Sequence, residues 1–319
     1  ALVIRELEEN GYAVIPNVLS TNDSDTYISE YKDFINQFEQ KGAGFFHCES
    51  VIQTYRIGHF NATWQVRLKV KDMFANIWQT EKLLTSVDAV AISKPPEEGS
   101  NMFATPSQNW FHLDQGCQRE GRHAYQGGVY LEGTTEKDHC FRVLTKSHKY
   151  HSEFFEEFPE AKKLTRDFEF YKLKKHQQEW YINKGCKPTK VPVPKGGMVL
   201  WDSRTIHDNA RPEFGRPNAD RWRFVVFVCM TPAYWATVDD LAQKHNAYKK
   251  LLMTTHWPSQ GVSTFTEYQP IKTNKKPLID TVNTLPDIAK TLQAKQLMGI
   301  EPYDFDDDIS NGPDKPKWN

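Results

Sequence analysis

His112 and Asp114, in Trp110-Phe111-His112-Leu113-Asp114, stand two residues apart. On a strand such a pair points to one side, because side chains on a face recur with period two. An imidazole nitrogen and a carboxylate oxygen then converge on one point. A second imidazole, His207, closes the stretch Val199-Leu200-Trp201-Asp202-Ser203-Arg204-Thr205-Ile206-His207 far downstream. Two His and one carboxylate on one side of a metal, with the other positions open, make the facial triad of non-haem Fe(II) oxygenases. The open positions suit a cosubstrate and O2. HxD alone is common, so the weight rests on its surroundings.

A dicarboxylate cosubstrate needs a fixed cation deep beside the metal. Asp220-Arg221-Trp222-Arg223 opens an apolar strand, and Arg221 and Arg223 share parity, so both could face inward. A guanidinium suits bidentate carboxylate pairing. Arg223, nearest the apolar run, is preferred, with Arg221 close behind; a rim salt bridge is the plainer role for either. His148 and His151 read as loop hydrogen-bonders. His47, His59, His123, His139, His176, His245 and His256 show no ligand spacing. Trp110 and Trp201 wall the pocket or pack the core, and Gln108 and Asn109 could face substrate or cosubstrate.

The elements that must position these residues follow a clear order. A short helix in residues 1–19 precedes an apolar strand ending at Pro16, and Ser20–Asp23 offers N-cap residues to a helix reaching about Gln40. A third helix is expected over about 62–79, with Trp64, Leu68, Phe74 and Trp78 as packing residues. From Ser86 the pattern changes to short strands: 87–92, within 101–116, 127–131, 140–144, 191–193, 198–201 and 223–230. Gly and Pro turns without βαβ alternation argue for an antiparallel sandwich or barrel with helices on an outer face. An insertion, about 150–190, reads helical and polar. Its Lys172, Lys174, Lys175, Lys184, Lys187, Lys190 and Lys195 surround Trp180 and Tyr181, as a solvated helix and loop or as a flap for an anionic substrate. A helix over about 236–253 and an acidic, Pro-rich tail, 301–319, exposed and partly mobile, complete the chain.

At 319 residues the chain is read as one domain: 1–85 helical support, 86–235 the β core with its insertion, 236–319 an extension. A formal net charge of −1 advertises neither nucleic acid nor an anionic membrane, and no apolar run approaches a membrane span. The N-terminal residues lack a signal-peptide apolar core. The five cysteines are scattered without CxxC, which argues against a disulfide framework or structural zinc and for a reducing, intracellular compartment, the cytoplasm.

Over roughly residues 5–235 the chain resembles the phytanoyl-CoA dioxygenase-like iron(II)/2-oxoglutarate oxygenases. Glu9–Ser20 looks like the family's opening segment, with Gly11 as its glycine. Trp110–Asp114 looks like its tryptophan-led HxD strand. Phe141–Lys149 is similar to its Pro-Gly-Ser-His segment, with Thr145-Lys146 where Pro-Gly is usual, and Lys195–Trp201 looks like the strand leading to the distal His. The resemblance implies a double-stranded β-helix (jelly-roll) core, mainly β with flanking helices. It implies Fe(II) on His112, Asp114 and His207, and 2-oxoglutarate on an arginine, with ascorbate as an accessory reductant. Arg221 and Arg223 stand further beyond the distal His, and Arg216 nearer to it, than the family's arginine does, so which one serves stays open. Asp114 differs from the small residue of halogenating relatives, so hydroxylation of a substrate by O2, with release of succinate and CO2, is the default reaction.

The expected substrate is a small organic molecule or an acyl conjugate. The alternatives are the same chemistry on a nucleic acid base or a protein side chain, with Lys172–Lys195 as landing surface, or a jelly-roll binding protein without turnover. The intact triad opposes the last. A zinc hydrolase lacks an evident general base beside the triad. The prime substrate and the oligomeric state are not written in the chain.

Overall fold

The computed structural model describes residues 2–43, 49–98, 109–266, 272–273 and 276–319. The N-terminal part comprises α1 (Leu2–Asn10), β1 (Tyr12–Ile15), α2 (Thr21–Gln40), β2 (Val51–Ile52), α3 (Asn61–Lys69) and α4 (Lys71–Trp78). The core follows as β3 (Leu83–Thr85), β4 (Val90–Ser93), β5 (His112–Leu113), β6 (Tyr125–Tyr130) and β7 (Cys140–Leu144). The insertion contributes α5 (His151–Glu157), α6 (Pro159–Leu164), β8 (Tyr171–Lys172) and α7 (Lys175–Asn183). Then come β9 (Pro188–Val191), β10 (Gly197–Asp202), β11 (His207–Ala210), β12 (Arg223–Pro232), α8 (Val238–Lys250) and α9 (Leu292–Leu297).

The strands form a seven-stranded sheet, β1-β10-β6-β12-β4-β2 with β3 beside β12, and a five-stranded sheet, β8-β5-β11-β7-β9. All these pairings are antiparallel. The chain passes repeatedly from one sheet to the other: β4, β6, β10 and β12 lie in the larger, β5, β7, β9 and β11 in the smaller. That exchange is the strand order of a jelly roll.

Both faces of the larger sheet are buried, and parity sorts them. Phe224, Val226 and Val228 of β12 join Tyr27, Tyr31, Phe34 and Phe38 of α2 and Phe74 of α4 in the outer core. Val225 joins Tyr130, Phe141, Val143, Val199 and Trp201 between the sheets. Burial of each such side chain contributes roughly 1.5–3 kcal/mol. Ser20 caps α2, its hydroxyl accepting from Asp23 N.

The insertion covers the outer face of the smaller sheet. Phe111, Leu113 and Ile206 pack there with Phe154, Phe155, Tyr171 and Tyr181. Trp180 packs edge-on to Phe158, and Tyr181 is fully buried. Tyr181 therefore turns inward, whereas Trp180 is half-buried with Lys184 Nζ 5.0 Å over its ring. Lys184 pairs with Glu153, Lys190 with Glu213 and Lys195 with Asp25, so much of the basic stretch is compensated locally.

The helix expected over 62–79 is two, broken at Val70. The strand expected within 101–116 is only His112–Leu113, and 101–108 lies outside the described residues, with Gln108 and the cysteine at 48. The strand that carries His207 runs His207–Ala210. The tail is exposed but tied down: Lys82 Nζ reaches Asp307, Ile309 O and Asn311, and Trp235 Nε1 donates to Pro313 O. Among the described residues no helix is long and apolar enough to cross a membrane.

Candidate active site

Because Phe111 and Leu113 bury outward under the insertion, His112 between them must face the space between the sheets. His207 of β11 is its direct register partner across the antiparallel pair, so both imidazoles project from one face. Asp114 follows just past β5. His112 Nε2 lies 3.6 Å from Asp114 Oδ1, and His207 Nε2 lies 3.4 Å from Asp114 Oδ2. The three ligand atoms all fall within 4.8 Å of one another.

The remaining ring nitrogens fix the tautomers. His112 Nδ1 sits 3.2 Å from Trp110 O, and His207 Nδ1 sits 2.9 Å from Thr205 O. A carbonyl only accepts, so each Nδ1 carries the proton and each Nε2 presents a lone pair to the shared point. Burial, with His207 next, lowers the His112 pKa to about 3, so that ring is neutral. Burial alone would raise the Asp114 carboxyl, but His112 and His207 more than offset it and hold it well below the usual range. Two imidazole lone pairs and one carboxylate make a donor set that fits a divalent transition metal.

A shell of hydrogen bonds holds the ligands. Gln126 Nε2 donates to Asp114 Oδ2 at 3.1 Å, and Trp201 Nε1 donates to Gln126 Oε1 at 3.1 Å. Gln126 is a polar residue at an inward position of the otherwise apolar β6, the one signal that could have exposed it. Asp208 takes a bidentate pair from Arg142 at 2.8 and 2.6 Å and accepts from Trp110 N at 3.1 Å, stapling the two His-bearing strands together. Gln115 organises the turn after Asp114 through Arg119 O, Gly121 O and Ser203 Oγ. The indole of Trp110 stacks flat on His112 at 4.7 Å, and Trp201 lies 5.1 Å from His207, so both walls expected of these residues are present.

Gly11 has φ +87°, and a Cβ there would lie 2.6 Å from His148 and 2.7 Å from Thr205. Only glycine lets the chain pass behind the loop that carries the His207 acceptor. His148 and His151 bond to the carbonyls of Glu8 and Gln115, at 3.1 and 2.9 Å, and stand outside the ligand cluster.

The two arginines part company. Arg221 is bound at the rim by Gly133 O at 3.0 Å, with Asp138 and Glu132 at 3.7 and 3.9 Å. Arg216, buried, is paired with Glu97 and Asp138. Arg223 is buried between the sheets without a carboxylate partner among the described residues. Its Nη2 donates to Asn209 Oδ1 at 2.8 Å and its Nη1 to Ser50 Oγ at 3.3 Å, while Nε has no hydrogen-bond partner. Asn209 lies two residues beyond His207 on β11, hence on the same face as the ligand. A buried guanidinium left without an anion is a site for one. Asn109 is exposed and donates to Gln178, away from the triad.

A model of the phytanoyl-CoA dioxygenase family matches residues 7–211. Ava biosynthesis cluster protein O of Aspergillus versicolor is 26% identical over 275 residues, 81% of this chain and 86% of that one. Among solved structures, HygX from Streptomyces hygroscopicus with nickel, 2-oxoglutarate and hygromycin B bound is 12% identical with a TM-score of 0.49, over 75% of this chain and 92% of that one. The epimerase SnoN in complex with Fe3+, alpha ketoglutarate and nogalamycin RO is 12% identical with a TM-score of 0.49, over 86% and 96%.

Proposed function

The chain belongs to the phytanoyl-CoA dioxygenase family of iron(II)/2-oxoglutarate-dependent oxygenases, and on that footing we propose that it hydroxylates a small organic molecule or acyl conjugate. The observation that carries the reading is the commitment of both Nδ1 atoms to backbone carbonyls, with both Nε2 atoms and Asp114 left to meet at one point.

In this reading His112, Asp114 and His207 hold Fe(II), and Arg223 takes the distal carboxylate of 2-oxoglutarate. Bound there, the metal supplies O2 activation coupled to oxidation of 2-oxoglutarate to succinate and CO2. The protein's share is placement. Gln126 and Trp201 orient the carboxylate, Asp208 fixes the spacing of the two His strands, and the aromatic walls exclude water. The A. versicolor relative's name, a biosynthesis cluster protein, supports a small organic substrate. The burial of Tyr181 and the ion pairs of Lys184, Lys190 and Lys195 weigh against the nucleic acid alternative.

Anaerobic titration with Fe(II) and 2-oxoglutarate, followed by visible absorption, tests this. A weak charge-transfer band that needs both components and vanishes in His207→Ala is expected. Metal binding without the band overturns the cosubstrate, and absence of metal binding overturns the enzyme.

A further inference from the structure

Residues beyond the span matched by the family model reach back to the ligand cluster. Pro316–Asn319 runs along the loop that follows Asp114. Trp318 bridges to Arg119 in antiparallel fashion, Glu120 N donates to Lys317 O at 3.0 Å, and Asn319 N donates to Gln118 O at 2.9 Å. Lys317 Nζ adds an ion pair with Glu120 at 3.1 Å. These bonds strap the segment onto the loop.

Arg119 is the centre of the strap, and its side chain is 1% exposed. The guanidinium lies 3.7 Å over the Trp257 ring and 4.2 Å over the Trp318 ring, both within cation–π range. Its Nε donates to Glu169 Oε1 at 2.6 Å and its Nη1 to Gln260 O at 3.0 Å. Gly261 has φ +75°, and a Cβ there would lie 2.3 Å from the Trp318 ring and 2.5 Å from Arg119 Nη2. Only glycine leaves room for the indole on the guanidinium.

From Arg119 contacts run to two of the ligands. Its backbone carbonyl accepts from Gln115 Nε2 at 2.9 Å, and Gln115, the neighbour of Asp114, is held on its other side by Ser203 Oγ at 2.6 Å. Glu169 Oε1 accepts from Gly116 N as well, at 3.4 Å, and the next residue, Phe170, lays its ring 4.9 Å from that of His112. Asp114 and His112 are thus both joined to the strap through one buried cation.

We propose that Arg119 and Trp318 are positioning residues for the metal centre: docking of Pro316–Asn319 on Arg119 sets the loop after Asp114 and the ring of Phe170 against His112, so strap docking and metal binding favour each other. Linkage makes the coupling reciprocal, and the factor by which the docked strap tightens metal binding is the factor by which bound metal tightens the strap. That the metal is Fe(II) serving 2-oxoglutarate chemistry rests on the oxygenase reading; the coupling rests on the ligand cluster alone.

Fe(II) is titrated anaerobically into the 319-residue chain in competition with the chelating dye mag-fura-2. Trp318→Ala is expected to raise the Fe(II) dissociation constant about tenfold, and Trp318→Phe, which keeps a ring on the guanidinium, to return it toward the parent value. Hydrogen exchange of the Glu120 and Asn319 amides reads the coupling from the other side. Fe(II) is expected to slow both about tenfold in the parent, and to leave the Glu213 amide, bonded to Lys137 O, unchanged. A Trp318 that only stabilised the fold would leave the Glu120 exchange blind to Fe(II). Parent-like affinity in Trp318→Ala, or Glu120 exchange indifferent to the metal, overturns the proposal. The charge-transfer band is read in the same samples after addition of 2-oxoglutarate. A band with parent-like affinity in Trp318→Ala sinks this inference alone; Trp318-dependent affinity without a band sinks the cosubstrate reading and leaves the coupling.

Discussion

Gln126 donates its side-chain N–H to Asp114 Oδ2 at 3.1 Å while its own carbonyl oxygen is held by the Trp201 indole, also at 3.1 Å. The amide is thereby locked in one orientation, and the carboxylate between the two imidazoles cannot rotate freely. Partners of this kind act on a metal through the ligand they hold. Gln126→Leu keeps the volume and removes the donor. Its Fe(II) dissociation constant is expected to rise roughly 10–100-fold, measured by anaerobic titration, while Asp114→Ala loses metal binding outright. An unchanged affinity in Gln126→Leu would show that Asp114 needs no orienting partner.

Arg223 and Arg221 offer a paired test. Arg223→Gln removes the buried cation beside Asn209, and the half-saturating 2-oxoglutarate concentration is expected to rise about 100-fold, as loss of a charge-assisted pair of roughly 3 kcal/mol requires. Arg221→Gln, at the rim with Asp138 and Glu132, is expected to change it by less than about twofold. Both are read from the 2-oxoglutarate dependence of the charge-transfer band. The reverse pattern would transfer the cosubstrate to the rim arginine.

How far the sequence carried depends on the kind of information. Period-two spacing brought out His112 with Asp114, and the apolar run after Arg223 brought out an inward arginine, because both are local patterns. The departure in spacing after His207 left Arg221 and Arg223 unresolved, and only tertiary neighbours separate them: one faces carboxylates, the other a neutral amide. Gln126, Asp208 and Phe170 act through partners 12, 66 and 58 residues away in the chain, a relation no local pattern carries. The break at Val70 was hidden because both helices keep aromatic residues at helical spacing across it. His256 was passed over for want of ligand spacing, and it stands outside the cluster of His112, Asp114 and His207.

Acid should unfold the metal-free protein through its buried imidazoles. Burial lowers His59 to about 3 and His151 to about 4, with the former bonded to Leu252 O and the latter to Gln115 O. The unfolded chain titrates its histidines near 6.5. Between that value and the folded ones the unfolded state binds more protons, so stability is complete above pH 6.5 and falls as pH drops toward 4. His151 alone accounts for roughly 2–3 kcal/mol between pH 7.5 and 4.5. Urea midpoints over that range check it. In His151→Gln, whose amide can still donate to Gln115 O, the decline is expected to be shallower by that amount, and a parallel decline would remove His151 from the account.

Lys146 occupies the position where the resembling segment carries glycine, and it has φ +66°. Its backbone N–H donates to Asn10 O at 2.9 Å, which ties the turn before His148 to the end of α1 and holds the lysine in the left-handed region. A side chain there costs roughly 1–2 kcal/mol, and glycine returns roughly 0.5–1 kcal/mol of that as lost chain entropy. The first effect exceeds the second, and among the described residues the exposed lysine side chain makes no ion pair that the change would forfeit. Lys146→Gly is therefore expected to stabilise the fold by about 0.5–1 kcal/mol and to raise Tm by roughly 1–3 °C. Differential scanning calorimetry reads this directly. Lys146→Ala separates the causes: it removes the lysine side chain but keeps the Cβ, so it is expected to leave Tm where it is. A gain in Lys146→Ala equal to that in Lys146→Gly would place the cost in the lysine side chain rather than in the backbone.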